Sequence, residues 1–329
     1  MMPSLSKLKQ SFAGANFLPA TYTFLTQPFA KNLRHLGATP TISKTPRKVT
    51  VVIPNYNYKP FLDARIKSIL HQTYPLYELI ILDDASTDGS ADYIEKELLP
   101  KIRTFNPDLK IKFLQNKQNS GKSIYQWQKA FKEATGDFLW LAEADDLSDP
   151  NFLATVMQKF DDQNVILSYS NSVAINSRGK VLTYDFQNRS VNKLKNARFA
   201  SDFVLGGEAI AKREFAINCI IPNVSACVFR LDPKAPFNKY LEKSAEFTQC
   251  GDWYFYLQVL KHGSLAYSRS SLNFFRIHNR SVTASSKKSQ NLLAEVQALH
   301  ALVAEEYSPS PEILRAQQLE QSRLKNRIS

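Results

Sequence analysis

Between residues 48 and 160, four largely apolar runs, the first rich in β-branched residues, alternate with helix-like segments. This rhythm restricts the fold more than any other feature of the chain. Residues 49–53 and 77–82 each read as a buried strand, and 111–114 and 138–142 as a third and a fourth strand. A helix is expected at about 61–71, where Leu62, Ile66, Ile69 and Leu70 share one face. Two more are expected, one after Gly89 to about Leu99 and one after Gly121 to about Ala134. Strands and helices alternating at this spacing require a parallel sheet with covered faces, so the fold class is α/β.

The fourth run ends in Glu143, Asp145 and Asp146. Ser148-Asp149-Pro150 follows and reads as a helix start with proline in its first turn. The acids therefore fall at the carboxyl end of a strand, where open α/β sheets bind their ligands. Carboxylates in that place suit a hard divalent cation, which commonly binds substrate phosphates as well. A solvated acidic turn is the plainer alternative.

The formal charge of +12 points to an anionic partner: a nucleotide, a phospholipid surface or nucleic acid. Ten glycines in 329 residues argue against a design built on glycine-rich loops. Cys219, Cys227 and Cys250 are odd in number and lack C-x-x-C spacing, so free, buried thiols in a reducing compartment are expected. No apolar run approaches the roughly 20 residues of a membrane span, and Lys7 and Lys9 are not followed by the apolar core of a signal peptide. A cytoplasmic location is expected. Residues 1–47 form a basic, aromatic arm without acids, suited to the inner face of an anionic membrane, to packing on the main domain, or to a linker.

Beyond Phe160 the pattern loosens. Short strands are expected at 165–169, 173–175, 226–229, 265–267 and 272–277, with helices at 203–215 and 254–260. The tail reads as two helices, 289–306 and 311–326, placed to pack on the domain or on a second subunit.

Gly121-Lys122-Ser123 sits between a strand and a helix as a Walker A loop would, but Asn116 stands where that motif needs glycine. No G-x-G-x-x-G follows the first strand, which removes support for a dehydrogenase-type dinucleotide site. The five histidines show no zinc spacing. Asp83 and Asp84 end the second strand, as acceptors for a base or ribose or as caps for the amides of Ser86 or Thr87. Asp252 opens a helix, which favours its ionised form and suits either a general base or a plain cap. His278 ends a strand, as a metal or phosphate contact or a surface histidine.

Val51-Val52-Ile53-Pro54-Asn55-Tyr56-Asn57, Ser68-Ile69-Leu70-His71-Gln72-Thr73-Tyr74 and Glu78-Leu79-Ile80-Ile81-Leu82-Asp83-Asp84-Ala85-Ser86-Thr87-Asp88-Gly89-Ser90 resemble the family 2 glycosyltransferases. Asn119-Ser120-Gly121, Glu143-Ala144-Asp145-Asp146, Gly251-Asp252-Trp253 and Phe275-Arg276-Ile277-His278 continue the likeness in order, over about residues 48–285. The resemblance is nearest to bacterial enzymes that extend surface polysaccharides. It implies the GT-A fold: a Rossmann-like, mostly parallel sheet, with a nucleotide-sugar half at 48–160, an acceptor half at 161–285 and a helical tail at 286–329.

It also implies roles. Pro54 and Tyr56 would line the base pocket and Asp84 would bind the base. Gly121 and Lys122 would lie near the nucleotide. Asp145 and Asp146 would hold Mn²⁺ or Mg²⁺ on the diphosphate, with His278 as a further ligand. Glu143 stands where the family's acidic signature has its first aspartate, toward the ribose. Asp252 matches the catalytic base, and Gly251 replaces the glutamate that often precedes it. The implied reaction moves a sugar, with inversion, from a UDP- or dTDP-linked donor to a hydroxyl of a glycan or lipid-linked glycan. Asn223-Val224-Ser225-Ala226 and Arg230 are candidates for the acceptor site. No nucleic-acid partner is expected. Two other readings stand: a nucleotidyltransferase on a related sheet, and a non-catalytic nucleotide-sugar or glycan module or membrane-surface adaptor.

Overall fold

Successive residues of the first strands point to opposite sides of one sheet, as the two-residue period of a strand dictates. Val49, Val51 and Ile53 enter one apolar cluster and Val52 the other, and Leu79 and Ile81 are likewise separated from Ile80 and Leu82. Phe138 and Trp140 face one way, Leu139 and Leu141 the other. Burial on both faces is why these runs carry no polar alternation. The structure, a computed structural model, describes residues 46–187, 197–279 and 291–328, which lie within one compact unit, Pro40–Ser329. The basic arm lies outside the described residues except at its end. There the Arg47 guanidinium pairs with Asp161 at 2.8 Å.

Strands β1 (Val49–Asn55), β2 (Glu78–Asp83), β3 (Lys110–Gln115) and β4 (Phe138–Leu141) run parallel in the order β3-β2-β1-β4. Pro54 lies within β1 without costing a ladder bond. Its face of the backbone points toward β4, whose last partner on β1 is Val52. Helix α1 (Lys59–Leu70) and helix α2, formed by residues 90–105, cover one face. Within α2 a π turn at Ile94–Leu98 precedes Pro100, whose ring removes a donor and crowds the carbonyl four residues back. Helix α3 (Ser123–Glu133) covers the other face.

Past the acidic tip comes a two-residue strand, β5 (Leu147–Ser148), and helix α4 starts only at Phe152 (Phe152–Gln158). The Ser148-Asp149-Pro150 helix start is thus corrected. Asp149 Oδ1 accepts the Asn151 N–H and shapes the turn, while Leu147 and Ser148 pair with the distant strand β10.

The looser half is more regular than its sequence. Residues 165–176 make one strand, β6 (Val165–Asn176), followed by β7 (Val181–Thr183). Residues 264–277 make another, β10 (Ser264–Ile277), with a bulge at 268–273. Ser168, Ser170, Asn171, Ser172 and Asn273 interrupt the apolar pattern but are buried. The helix expected at 203–215 is instead strand β8 (Phe203–Gly206) followed by short helices α5 (Gly207–Ala211) and α6 (Glu214–Ile217). Gly206-Gly207 turns the chain there, and a Cβ on Gly207 would sit 1.8 Å from the Leu260 carbonyl.

Strand β9 (Cys227–Arg230) runs antiparallel between β4 and β6, so the sheet continues β4-β9-β6-β10-β5. Helices α7 (Phe237–Ser244) and α8 (Gly251–Val259) and the tail helices α9 (Asn291–Tyr307) and α10 (Pro311–Ile328) complete the fold. Five residues, 142–146, join β4 to β5, which lie four strand positions apart in this order. A flat sheet would separate them by about 19 Å at ~4.8 Å per strand. The link contains a turn, closed by the Asp146 N–H on the Glu143 carbonyl. The sheet must therefore curl so that the ends of β9, β6 and β10 converge on the tip.

Candidate active site

Strands β1, β2, β3, β4, β6 and β10 all point the same way, which brings their carboxyl ends to one edge. Asp84, the acidic tip, the start of β9 and His278 meet at that edge. Asp145 and His278 make the closest link: His278 Nε2 lies 2.9 Å from Asp145 Oδ2. His278 is buried rather than on the surface. Tyr58 stands edge-on to its ring at 5.6 Å, and Phe61 lies tilted against it at 5.4 Å.

Asp146 faces inward. Its Oδ1 accepts the Arg276 N–H at 2.8 Å, Asn223 Nδ2 donates to its Oδ2, and the Ser225 hydroxyl donates as well. Burial and the neighbouring Asp145 push its carboxyl up to about 7. Asn223 is held in turn by Asn273 Nδ2, which also reaches Ser172 Oγ at 2.9 Å. Glu143 Oε1 accepts the Trp127 indole N–H at 2.7 Å. Burial, then Asp145, pushes the Glu143 carboxyl up to about 8.

Beneath the three acids lies Arg65, a residue the sequence reading missed. It is wholly buried in α1, donates to Ser148 Oγ at 2.8 Å and stacks 5.2 Å from the Trp140 ring centre. Burial lowers its pKa to about 10 against the pull of Asp146, Asp145 and Glu143, so it stays charged at neutral pH. The available signal was a charge on the same helical stripe as Leu62, Ile66 and Ile69.

Asp83 and Asp84 have separate tasks. Asp83 accepts Asn55 Nδ2 at 2.7 Å and the Ser86 N–H at 3.0 Å, which is a loop cap. Asp84 grips the segment after β3: its carboxylate accepts Asn116 Nδ2, Asn119 Nδ2, the Ser120 N–H and the Ser120 hydroxyl. Gly121 follows at φ +85°, a conformation that favours glycine. Tyr56, 44% exposed, stands at the end of β1 beyond the buried Pro54. The Lys122 ammonium donates to the carbonyls of Ala245 and Phe247.

Asp252 occupies the first turn of α8, half-buried, and its Oδ1 accepts the Trp253 N–H at 2.7 Å. The helix end was expected to favour its charged form. Burial outweighs that and pushes the carboxyl up to about 6. Arg230 does not reach this edge. It pairs with Phe138, at the start of β4, and donates to the carbonyls of Val165 and Phe160 at the opposite end of the sheet.

Among the described residues no three His, Cys, Asp or Glu side chains form a metal-holding group. Asp145 and His278 nevertheless offer a carboxylate oxygen and an imidazole nitrogen side by side, 2.9 Å apart, donor types that would suit Mn²⁺. A cation that completes its shell with phosphate oxygens and water needs few protein ligands.

The profile of the family described as "Glycosyl transferase family 2" matches residues 50–214. The chain belongs to that family. The match spans the strands and loops that carry Asp84 and the acidic tip. A putative teichuronic acid biosynthesis glycosyltransferase, TuaG of Bacillus subtilis, is 33% identical over 98 residues, 30% of this chain and 36% of its own length. The Escherichia coli UDP-Glc:alpha-D-GlcNAc-diphosphoundecaprenol beta-1,3-glucosyltransferase WfgD is 24% identical over 219 residues, 66% of this chain and 72% of its own. The first curated relatives are matched over only 34%, 26% and 36% of their lengths. Among solved structures, S. aureus TarS 1-349 in complex with UDP-GlcNAc superposes with a TM-score of 0.55 at 15% identity, over 85% of this chain and 72% of that one. The mannosyltransferase PcManGT from Pyrobaculum calidifontis, in complex with GDP-Man and Mn²⁺, gives 0.53 at 16%, over 93% and 78%. These likenesses establish the GT-A fold of this family 2 chain.

Proposed function

We propose that this chain is a metal-dependent, inverting glycosyltransferase that moves a sugar from a nucleoside diphosphate, UDP- or dTDP-linked, to a hydroxyl of a growing cell-surface glycan or lipid-linked glycan. The observation that carries the reading is the Asp145–His278 pair, set at the carboxyl edge of the sheet beside the Asp84 loop. Residues 48–160 are the donor half and 161–285 the acceptor half. Family membership, the nucleotide-sugars in the neighbouring structures and the lipid-linked acceptor in the name of WfgD support this assignment.

Asp145 and His278 would hold Mn²⁺ or Mg²⁺. The cation, when bound, supplies Lewis-acid stabilisation of charge growing on the leaving diphosphate. Asp146 fixes the tip from behind through Arg276 and Asn223, and Arg65 offsets part of its negative charge. Asp84 orders the loop from Asn116 to Gly121 that borders the base, with Tyr56 as the exposed ring beside it. Glu143 is placed toward the ribose. Asp252 takes the proton of the acceptor hydroxyl as that oxygen attacks the anomeric carbon. A carboxyl near 6 is mostly ionised at neutral pH yet more basic than an ordinary aspartate, which suits that task.

The test is release of nucleoside diphosphate from a panel of UDP-, dTDP- and GDP-sugars with Mn²⁺, wild type beside Asp145→Ala. Metal-dependent release of one nucleotide, lost in the variant, supports the reading. Failure of every donor to bind would overturn it in favour of the membrane-surface adaptor.

A further inference from the structure

Asp252 does not sit on a rigid platform of its own. The six residues before its helix, 245–250, form a short irregular segment held from two sides. On one side the Lys122 ammonium donates to the carbonyls of Ala245 and Phe247. On the other, Glu295 of α9 accepts three successive backbone N–H groups: Thr248 at 2.7 Å on Oε1, and Gln249 at 2.9 Å and Cys250 at 3.0 Å on Oε2. Carbonyls thus meet a cation and amides meet an anion, as a concave run of N–H groups favours. The end of α7, which leads into the segment, comes so close to the start of α8 that a Cβ on Gly251 would lie 2.6 Å from the Ser244 carbonyl oxygen.

We propose that Glu295 and Lys122 are positioning residues that hold segment 245–250 and, through it, set the place of Asp252. This rests on the reading of Asp252 as the base. Lys122 directly follows the loop that Asp84 grips, so the clasp ties the nucleotide-side loop to the acid that opens α8. Glu295 comes from the tail, so a helix outside the donor half shapes the site. The groups facing Asp252 are Glu295 from α9, Cys219 after α6, Cys227 at the start of β9, and Cys250 and Tyr256 beside it in the chain. Burial pushes the three thiols and the phenol up, which keeps them neutral at physiological pH. Burial first, and Glu295 after it, raise the Asp252 carboxyl.

The experiment uses the full chain without ligand. Amide hydrogen exchange reads the segment. A carbon-13 titration of the aspartate carboxyls reads Asp252, its signal assigned by its loss in Asp252→Asn. In Glu295→Gln, exchange at Thr248, Gln249 and Cys250 is expected to speed up at least tenfold, and the Asp252 midpoint to move to lower pH. Glu295→Asp, which keeps the charge on a shorter arm, should return the midpoint toward wild type. Lys122→Met should speed exchange in the same three amides. Unchanged exchange and midpoint in Glu295→Gln would overturn the proposal, and so would uniform loss of protection across α8 and α9, the mark of a merely structural residue. If Asp252→Asn retains acceptor-dependent turnover, the base assignment fails while these spectra still decide whether Glu295 positions Asp252.

Discussion

His278 Nε2 stands 2.9 Å from Asp145 Oδ2, although 133 residues separate the two in the chain. Two structural elements make the contact: the five-residue link after β4, and the end of β10. His278→Ala and Asp145→Ala should each weaken Mn²⁺ binding at least about tenfold, the lower end of what losing even an outer-shell partner costs. Titration calorimetry with Mn²⁺ and a nucleoside diphosphate checks both. Equal affinity in His278→Ala and wild type would remove His278 from the metal site.

Asp252→Asn should lower acceptor-dependent turnover by roughly 10²–10⁴-fold while donor affinity holds. In the wild type, kcat/KM should fall as pH drops through about 6, because protonation at that raised value removes the base. A pH–rate profile measured with donor and acceptor reads this, and an acid limb near 4 would contradict the burial of Asp252.

Arg65→Met would remove one of two buried cations, the other being Arg276, that act on the Asp145 and Asp146 carboxyls. The expected loss is about 3–5 kcal/mol of folding free energy, the range for breaking one side of a buried charge arrangement. Urea unfolding measures it. Arg65→Lys should fall in between, since it keeps the charge but loses the planar stack on Trp140.

Asp84→Asn replaces an oxygen acceptor with an NH₂ donor in a place where Asn116, Asn119 and Ser120 all donate. One buried donor then lacks a partner, at about 1–3 kcal/mol. Donor KM should rise at least about tenfold through disorder of the Asn119–Gly121 turn, a change that nucleotide-binding measurements detect directly.

Gly251→Glu would restore the side chain common in the family and should nevertheless damage the enzyme. Its Cβ would meet the Ser244 carbonyl oxygen at 2.6 Å, and that backbone belongs to the helix leading into segment 245–250. A melting temperature several degrees lower, with reduced turnover, is the expected result. Full activity would show that the segment can yield.

The donor-side fold was legible because each strand there is short, apolar and punctuated by Pro, Asn, Asp or Gly, and because its helices are local. The loci of the acids, of Asp84 and of His278 followed from strand ends. What stayed hidden depends on partners distant in sequence. Asn171, Ser172 and Asn273 look like breaks in strands until their distant partners are seen: Asn171 bonds Asp185 and the Gln187 N–H, and Asn273 crosses from β10 to Ser172 on β6. Val204 and Leu205 look helical until β10 pairs with them. Arg230 looked like a ligand group, but its register opposite Phe138 sends it to the wrong end of the sheet. Glu295 carried no local signal, since its role lies in three amides 45 to 47 residues away.

The link from β4 to β5 is moored at both ends, by the ladder with β1 and by Ser148 and Leu147 on β10. Its length is therefore part of the site. One residue added or removed between Ala142 and Asp146 would shift β5 by a register step and turn Leu147 and Ser148 to the wrong faces. Evolution or a designer can vary the chain between β6 and β7 by insertion. At the acidic tip only substitution is open.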